Sequence, residues 1–209
     1  MSRPLVVTDC DEVLLFMVRH FRDWLDTEHD VAFELEGNPF VQSMRRRDTD
    51  TDMTEAEVWA LLAGFFDTQM ASQTPIPGAV DAIAELQRDA DVVVLTNLLD
   101  KFNQARADQL RDLGIDAKVY TNQGPKGDAL ARIVAEHGAS RAVFVDDIAN
   151  HHASAAETIP TVHRLHFCGE PAIAGHVPCA VQAGNAHARI DNWAEALPWI
   201  LETLHGDEK

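Results

Sequence analysis

The stretch PLVVTDCDEVLL, residues 4–15, places two carboxylates directly after a short apolar run. The run LVVT (5–8) is rich in β-branched and aliphatic residues, which is typical of a strand that is buried on both faces. Asp9 and Asp11 follow it with one residue between them. Two like charges at the end of a buried strand repel each other and are costly to desolvate. The chain must therefore bring a compensating group to this point.

Short apolar runs and helical patterns alternate along the rest of the sequence. Candidate strands lie at 92–95, 118–120, 142–145 and 161–167. Candidate helices lie at 78–88, 101–113, 126–137 and 191–204. Gly138 is a typical helix stop, and Asp191 is expected to cap the last helix. The alternation predicts an α/β protein with a doubly wound parallel sheet.

The interval 16–76 is far longer than one crossover helix and contains no strong strand. Two apolar stripes at helical spacing predict two helices in it. The stripes consist of Leu14, Val18, Phe21 and Leu25, and of Val58, Leu61, Leu62, Phe65 and Phe66. Thr54 and Glu57 have the spacing of a capping box. We expect a small α-helical cap domain at 16–76 and a core domain formed by 1–15 and 77–209.

Composition restricts the partners. The chain has 209 residues and a formal charge of −17, which speaks against a nucleic-acid polymer or an anionic membrane as the main partner. No apolar run is long enough to predict a membrane span, and the first strand begins too early to follow a signal peptide. The three cysteines form no pattern of a disulfide framework or zinc site. We expect a cytoplasmic protein; the oligomeric state is left open.

Polar side chains follow each strong strand. Thr96 and Asn97 follow VVVL, and Asp146 and Asp147 follow AVFV. The carboxyl ends of parallel strands share one edge of the sheet, where α/β proteins bind ligands. Lys126 opens the helix before the third strong strand and can reach the same edge. Hard oxygen ligands suit Mg²⁺, which would explain how the acids tolerate one another.

Four segments now resemble the four motifs of the haloacid dehalogenase superfamily. They are DCDEV (9–13), LTN (95–97), GPKGDAL (124–130) and FVDDIAN (144–150). The resemblance implies a Rossmann-like core with a helical cap inserted after the first motif. Dehalogenating members resemble this sequence at Asp9 but lack the second aspartate, and Asp11 is present. The resemblance therefore favours a phosphatase.

Roles for these residues follow from the resemblance. Asp9 would attack phosphorus to give an aspartyl-phosphate, and Asp11 would act as general acid and then general base. Thr96 and Lys126 would hold the phosphoryl oxygens, and Asn97 would contact the substrate. The metal ligands would be Asp9, the backbone carbonyl of Asp11, and an acid of the fourth motif. Asp147 resembles the direct ligand and Asp146 its support, a choice that the sequence leaves open.

A basic cluster, MRRRD (44–48), lies within the expected cap. Arg45 and Arg46 would suit a distal anion of the substrate, since guanidinium groups bind carboxylate and phosphate bidentately. The alternative is a solvated turn in which these arginines pair with Asp48, Asp50 and Asp52.

The chain departs from the family pattern at two positions. Glu12 stands directly after Asp11, where members usually carry glycine. Related members with a DD motif place asparagine four residues after the second aspartate, whereas Asn150 comes three after Asp147. Either the following helix starts one residue earlier, or His151 takes that place.

The sequence therefore predicts a Mg²⁺-dependent hydrolase of a small phosphorylated metabolite. A nucleotidase specific for nucleoside monophosphates is one alternative within this class. The same motifs leave open phosphonate or phosphomutase-type chemistry, a 2-haloacid dehalogenase, and an idle protein that binds a phosphorylated ligand. The substrate and the role of the histidine- and cysteine-bearing segment 163–187 are left open.

Overall fold

Strands and helices alternate through most of the chain. A computed structural model describes residues 3–35, 40–139 and 141–206. The strands are β1 (Leu5–Thr8), β2 (Val31–Phe33), β3 (Met44–Arg46), β4 (Thr51–Asp52), β5 (Asp91–Asn97), β6 (Lys118–Asn122), β7 (Ala142–Asp146), β8 (His163–His166) and β9 (Ala188–Arg189). The helices are α1 (Val18–His29), α2 (Glu55–Thr68), α3 (Ala79–Asp89), α4 (Asn103–Asp112), α5 (Gly127–His137), α6 (Ala149–Thr158), α7 (Pro171–Ala174) and α8 (Trp193–His205). Short 3₁₀ turns lie at Phe40–Gln42, Met70–Ser72 and Asp100–Phe102.

Six strands form one parallel sheet in the order β6-β5-β1-β7-β8-β9. The strand β1 lies inside the sheet, and its last residue, Thr8, is in register with Val94 of β5 and Val145 of β7. Each strand predicted from the sequence is present. The prediction of an α/β fold with a doubly wound parallel sheet is confirmed.

The two faces of the sheet are covered by separate apolar clusters, which explains why the strands show no polar alternation. Val6 packs with Leu86 of α3 and Ile200 of α8 on one face. Val7 packs with Leu130 of α5 and other residues on the opposite face. Burial on both sides fixes the position of β1, and hence of the residues that follow it.

The segment between β1 and α3 carries both expected helices and a feature that the sequence did not reveal. The strands β2, β3 and β4 form a separate antiparallel sheet. They are only two or three residues long, too short to show a period-2 pattern. Helix α1 begins at Val18, so Leu14 lies in the preceding turn and outside the predicted helical stripe. The capping box of Thr54 and Glu57 is present at α2.

The ends of two helices test the sequence predictions. Gly138 ends α5 in the left-handed conformation, as expected of a stop residue. The expected cap of the last helix was wrong by one residue, because the side chain of Asn192 accepts the N–H of Glu195 at 2.9 Å. Asp191 instead accepts the N–H of Cys168 at 3.0 Å, which ties the loop after β8 to the start of α8. None of the described helices is long and apolar enough to span a membrane.

Candidate active site

The carboxyl edge of the sheet brings Lys126 between two aspartates of different strands. Its Nζ lies 2.8 Å from Oδ1 of Asp9 and 2.7 Å from Oδ2 of Asp146. The side chain of Lys126 is fully buried. Burial opposes the charged form, but the two carboxylates outweigh it and raise the pKa of Lys126. Lys126 is thus one of the compensating groups that the sequence required.

The glycine after Lys126 explains how α5 comes close enough for this contact. A Cβ on Gly127 would lie 2.5 Å from the backbone oxygen of Ser154 in α6. The Gly127 N–H also donates to the Ser154 hydroxyl at 3.0 Å. Only glycine permits this approach, which packs the start of α5 against the helix that follows β7.

Asp147 joins Asp9 and Asp146 in a compact group of acids. The three residues offer carboxylate oxygens that all lie within 4.8 Å of one another. Burial raises the pKa of Asp9 to about 6, against the lowering effect of Lys126. Burial and the neighbouring Asp146 and Asp9 raise the pKa of Asp147 well above its usual range. One ammonium does not balance three buried carboxylates, so the donor set fits a hard cation.

The two acids of the fourth motif differ in their contacts. Both oxygens of Asp146 are engaged: Oδ2 by Lys126, and Oδ1 by the N–H of Ile148 at 2.8 Å and by Nδ1 of His151 at 3.0 Å. Although burial opposes ionisation, Lys126 and His151 lower the pKa of Asp146 below its usual range. The carboxylate of Asp147 takes part in none of the ion pairs or side-chain hydrogen bonds found among the described residues. Its oxygens are therefore the ones available to a metal.

Asp11 has partners that the sequence did not suggest. Nη2 of Arg106 lies 3.0 Å from Oδ1 and 3.3 Å from Oδ2 of Asp11, and Nε2 of Gln73 donates to Oδ1 at 3.0 Å. Arg106 lies on α4, and Gln73 lies between the 3₁₀ turn Met70–Ser72 and α3. No local sequence pattern indicates this contact, because the helix that carries Arg106 is mostly polar and Arg106 is nevertheless buried.

The remaining predicted residues lie in two places. Thr96 is buried at the end of β5, and Asn97 follows it with its side-chain amide donating to the Gly124 carbonyl at 2.9 Å. Arg45 instead pairs with Asp50 and Asp52, each at 3.2 Å, and Arg46 pairs with Glu57 at 2.6 Å. None of the ion pairs of the described residues joins either arginine to the acidic cluster.

Comparison with known proteins adds evidence on the fold. No protein-family model and no curated protein sequence matches the chain. A haloacid dehalogenase-family hydrolase from Deinococcus radiodurans R1, solved with phosphate and sodium, has a TM-score of 0.67 and 15% identity over 98% of each chain. A haloacid dehalogenase-like hydrolase from Streptococcus pneumoniae has a TM-score of 0.64 and 14% identity over 96% of this chain and 98% of that one. A protein assigned as a phosphoglycolate phosphatase from Lactobacillus plantarum has a TM-score of 0.63 and 16% identity over 95% and 99%.

The chain has the haloacid dehalogenase-like fold. The similarity covers nearly the whole of each chain, so it includes the segment between β1 and α3. It confirms, at the level of the fold, the resemblance that the four motifs carry.

Glu12 lies directly after Asp11, at the position where proteins of the haloacid dehalogenase superfamily usually carry glycine. Its backbone adopts φ of 60°, in the left-handed region that favours glycine. Its Oε1 accepts the N–H groups of Met17 at 2.9 Å and Val18 at 2.6 Å, at the start of α1. Burial raises the pKa of Glu12 to about 8. The side chain thus attaches α1 to the loop that follows β1.

The structure also shows which residue lies at the position where related members carry asparagine. Helix α6 begins at Ala149, and Asn150 is exposed on it. His151 is buried and bridges Asp146 to Asn97, with its Nε2 3.2 Å from Nδ2 of Asn97. His151 therefore takes the inward-facing position four residues after Asp147.

Two further histidines hold the backbone of the fourth motif. Nε2 of His152 donates to the carbonyl of Asp146, and Nε2 of His166 donates to the carbonyl of Asp147, both at 2.9 Å. The second ring nitrogen of His166 accepts the N–H of Ala180 at 3.0 Å, which fixes the tautomer. His166 and Ala180 both belong to the segment 163–187, so this segment supports the loop that carries Asp146 and Asp147.

Proposed function

We propose that the chain hydrolyses a small phosphate monoester through an aspartyl-phosphate intermediate formed on Asp9. The observation that carries the proposal is the buried contact of Lys126 with Asp9 and Asp146. Asp147 lies beside these two acids, and Asp9 precedes Asp11 by two residues. These residues would supply a nucleophile, a cation for the phosphoryl group, a metal-binding carboxylate and a proton donor at one edge of the sheet.

The contacts of Asp9 suit a nucleophile. Its Oδ1 accepts from Nζ of Lys126 at 2.8 Å and from the N–H of Cys10 at 2.7 Å. Both donors bind the same oxygen, which leaves Oδ2 to attack phosphorus. Covalent catalysis divides a very slow hydrolysis into formation and breakdown of an acyl phosphate.

The other residues act on the phosphoryl group and on protons. Lys126 and the hydroxyl of Thr96 would bind the non-bridging oxygens, and Lys126 would offset their charge. The side-chain amide of Asn97 already binds the Gly124 carbonyl and His151, so it would position the loop and not the phosphate. Asp11 would protonate the leaving oxygen in the first step and remove a proton from water in the second.

Asp9, Asp147 and the backbone carbonyl of Asp11 would hold Mg²⁺, with Asp146 orienting the group through Lys126 and His151. A bound divalent cation neutralises the carboxylates and stabilises charge on the transferred phosphoryl group. The free carboxylate of Asp147 and the saturated carboxylate of Asp146 support this division of roles.

The insertion would serve as the cap domain over this edge, with 16–76 as its extent. A cavity of about 440 Å³ lies between α1 and α7 and is lined by Val18, Arg19 and Glu170 among others. Val18 also donates its N–H to the side chain of Glu12, the residue after Asp11. This link supports the cavity as the place for the organic part of a small metabolite. The free cysteines fit a cytoplasmic location.

Phosphate release from a panel of metabolite phosphates and p-nitrophenyl phosphate tests the proposal. We expect Mg²⁺-dependent release that EDTA stops and added Mg²⁺ restores. Asp9→Asn should abolish release, because an amide cannot form the acyl phosphate, whereas the exposed Asp116→Asn should leave the rate unchanged. A folded Asp9→Asn protein that keeps its activity, or a wild type inactive on the whole panel, would overturn the proposal.

A further inference from the structure

Arg106 is buried in a way that stability alone does not explain. Its side chain is fully buried, and Asp11 is its ion-pair partner at 3.0 Å. Its Nε has no hydrogen-bond partner in the described part of the chain. A buried ion pair contributes little net stability compared with apolar residues of similar volume, since both charges must be desolvated. The effect of the arginine on Asp11 is therefore the feature to explain.

The contacts hold one oxygen of Asp11 more firmly than the other. Among the described residues, Oδ1 accepts two hydrogen bonds at 3.0 Å, one from Arg106 and one from Gln73, whereas Oδ2 accepts one longer bond of 3.3 Å from Arg106. The side chain of Asp11 remains 16% exposed, although Arg106 is not exposed at all. Anchoring Oδ1 fixes the orientation of the carboxyl group and leaves Oδ2 to exchange a proton.

The anchor is itself held on several sides. Nη1 of Arg106 donates to the side-chain oxygens of Gln73 and Gln109, each at 2.9 Å. The amide of Gln109 donates to the carbonyl of Met70, at the end of the insertion. Arg106 thus joins the first-motif loop, helix α4 and the returning segment of the insertion. A side chain fixed by packing and by several hydrogen bonds can impose a single orientation on its partner.

We propose that Arg106 is a positioning residue that orients Asp11 for proton transfer to the leaving group. The inference rests on the proposed function and deepens it, because it explains how the general acid is aimed. A residue that acts through proton donation matters most when the leaving group is a strong base.

Two aryl esters with different leaving groups test the inference. Phenolate needs a proton when it leaves, and p-nitrophenolate needs it much less. We expect Asp11→Asn to lower kcat/KM for phenyl phosphate by roughly 10²–10⁴-fold, and p-nitrophenyl phosphate to be affected less. Arg106→Met should also lower kcat/KM more for phenyl phosphate than for p-nitrophenyl phosphate. The two losses should differ by a factor on the order of 10. Arg111→Met, an exposed arginine of the same helix, should leave both rates unchanged.

The double variant Asp11→Asn/Arg106→Met separates positioning from general damage. If Arg106 acts through Asp11, the second substitution adds no further difference between the two esters. Should Arg106→Met fail to fold, Gln73→Leu removes the other donor to Oδ1, and a smaller loss in the same direction is expected. Melting temperatures identify variants that are merely unstable.

The outcomes distinguish this inference from the function on which it rests. A wild type that hydrolyses neither ester, nor any other phosphate monoester, overturns the proposed function and the inference together. A wild type that hydrolyses both, with Arg106→Met or Gln73→Leu lowering both rates equally or raising them, overturns the inference alone.

Discussion

At the scale of single residues, the charge balance of the site depends on Lys126. It is fully buried and contacts Asp9 and Asp146, while Asp147 lies within the same group of acids. The lysine is the only basic side chain other than imidazole that pairs with these three acids among the described residues. Its contribution is therefore best measured without a metal, because a bound cation would also offset the carboxylates.

Lys126→Met should destabilise the protein by about 3–5 kcal/mol in EDTA, because it leaves buried carboxylates without their partner. Urea unfolding measures the change in the free energy of unfolding. The control is Lys118→Met, since Lys118 is exposed and pairs with Glu136 at the surface. Surface ion pairs contribute about 0–1 kcal/mol, so the control should change little. Equal effects of the two substitutions would contradict the proposed balance.

How well single residues were predicted depended on where they lie within their strands and helices. Asp9, Lys126, Asp146 and Asp147 were predicted to converge because each lies at a strand end or at the start of a helix. Arg106 was not, because it lies within α4 and not at the end of a strand, so nothing in the sequence indicates that its side chain reaches Asp11. A contact of this kind follows from the packing of α4 against the sheet, which no local pattern encodes.

At the scale of elements, the length of a segment decided how well it was predicted. The buried strands of the central sheet appear as apolar runs because both of their faces are covered. The short strands β2 to β4 pair partly exposed residues, and Arg45 and Arg46 lie on the middle one. Their composition suggested a turn, and only long-range pairing makes them a sheet. The start of α2, in contrast, is encoded locally by its capping box.

Thr54→Ala should lower the free energy of unfolding by about 1 kcal/mol near neutral pH, because it removes the N-cap of α2. Thr68→Ala is the control, since Thr68 lies exposed at the other end of the same helix and donates only to the Gly64 carbonyl. Urea unfolding of both variants gives the comparison. An equal decrease in the free energy of unfolding for Thr68→Ala and Thr54→Ala would contradict a stabilising role of the cap.

The effect of this cap should also depend on pH. Hydrogen bonds from the N–H and hydroxyl of Thr54, with Arg46, lower the pKa of Glu57 to about 2. A carboxyl group whose pKa is lower in the folded state stabilises it above its ordinary pKa, here 4.5, and ceases to do so as the pH falls towards 2. The difference between wild type and Thr54→Ala should therefore shrink across this range. A difference that stays constant with pH would exclude Glu57 from the cap.

At the scale of the whole molecule, acidic residues outnumber basic ones by 34 to 17, and three of the acids are buried at one edge of the sheet. The fold tolerates this cluster because β1 and β7 are fixed by apolar burial on both faces, independently of the charges that follow them. The remaining repulsion between the three carboxylates lowers the stability of the protein, and a bound cation would relieve it. Metal binding should therefore be measurable as stability, without any assay of turnover.

Asp147→Asn should raise the melting temperature in EDTA, because it removes a buried carboxylate whose pKa is raised by burial and by two neighbouring acids. In the presence of Mg²⁺ the wild type should have the higher melting temperature of the two. A ligand at 100 times its Kd stabilises the wild type by about 2.7 kcal/mol, and the variant should gain much less because it lacks the free carboxylate. Asp128→Asn, at an exposed position of α5, should respond like the wild type. If Asp147→Asn gained as much stability from Mg²⁺ as the wild type, the metal would have to be held without Asp147, and Asp146 could not replace it without releasing Lys126 or His151.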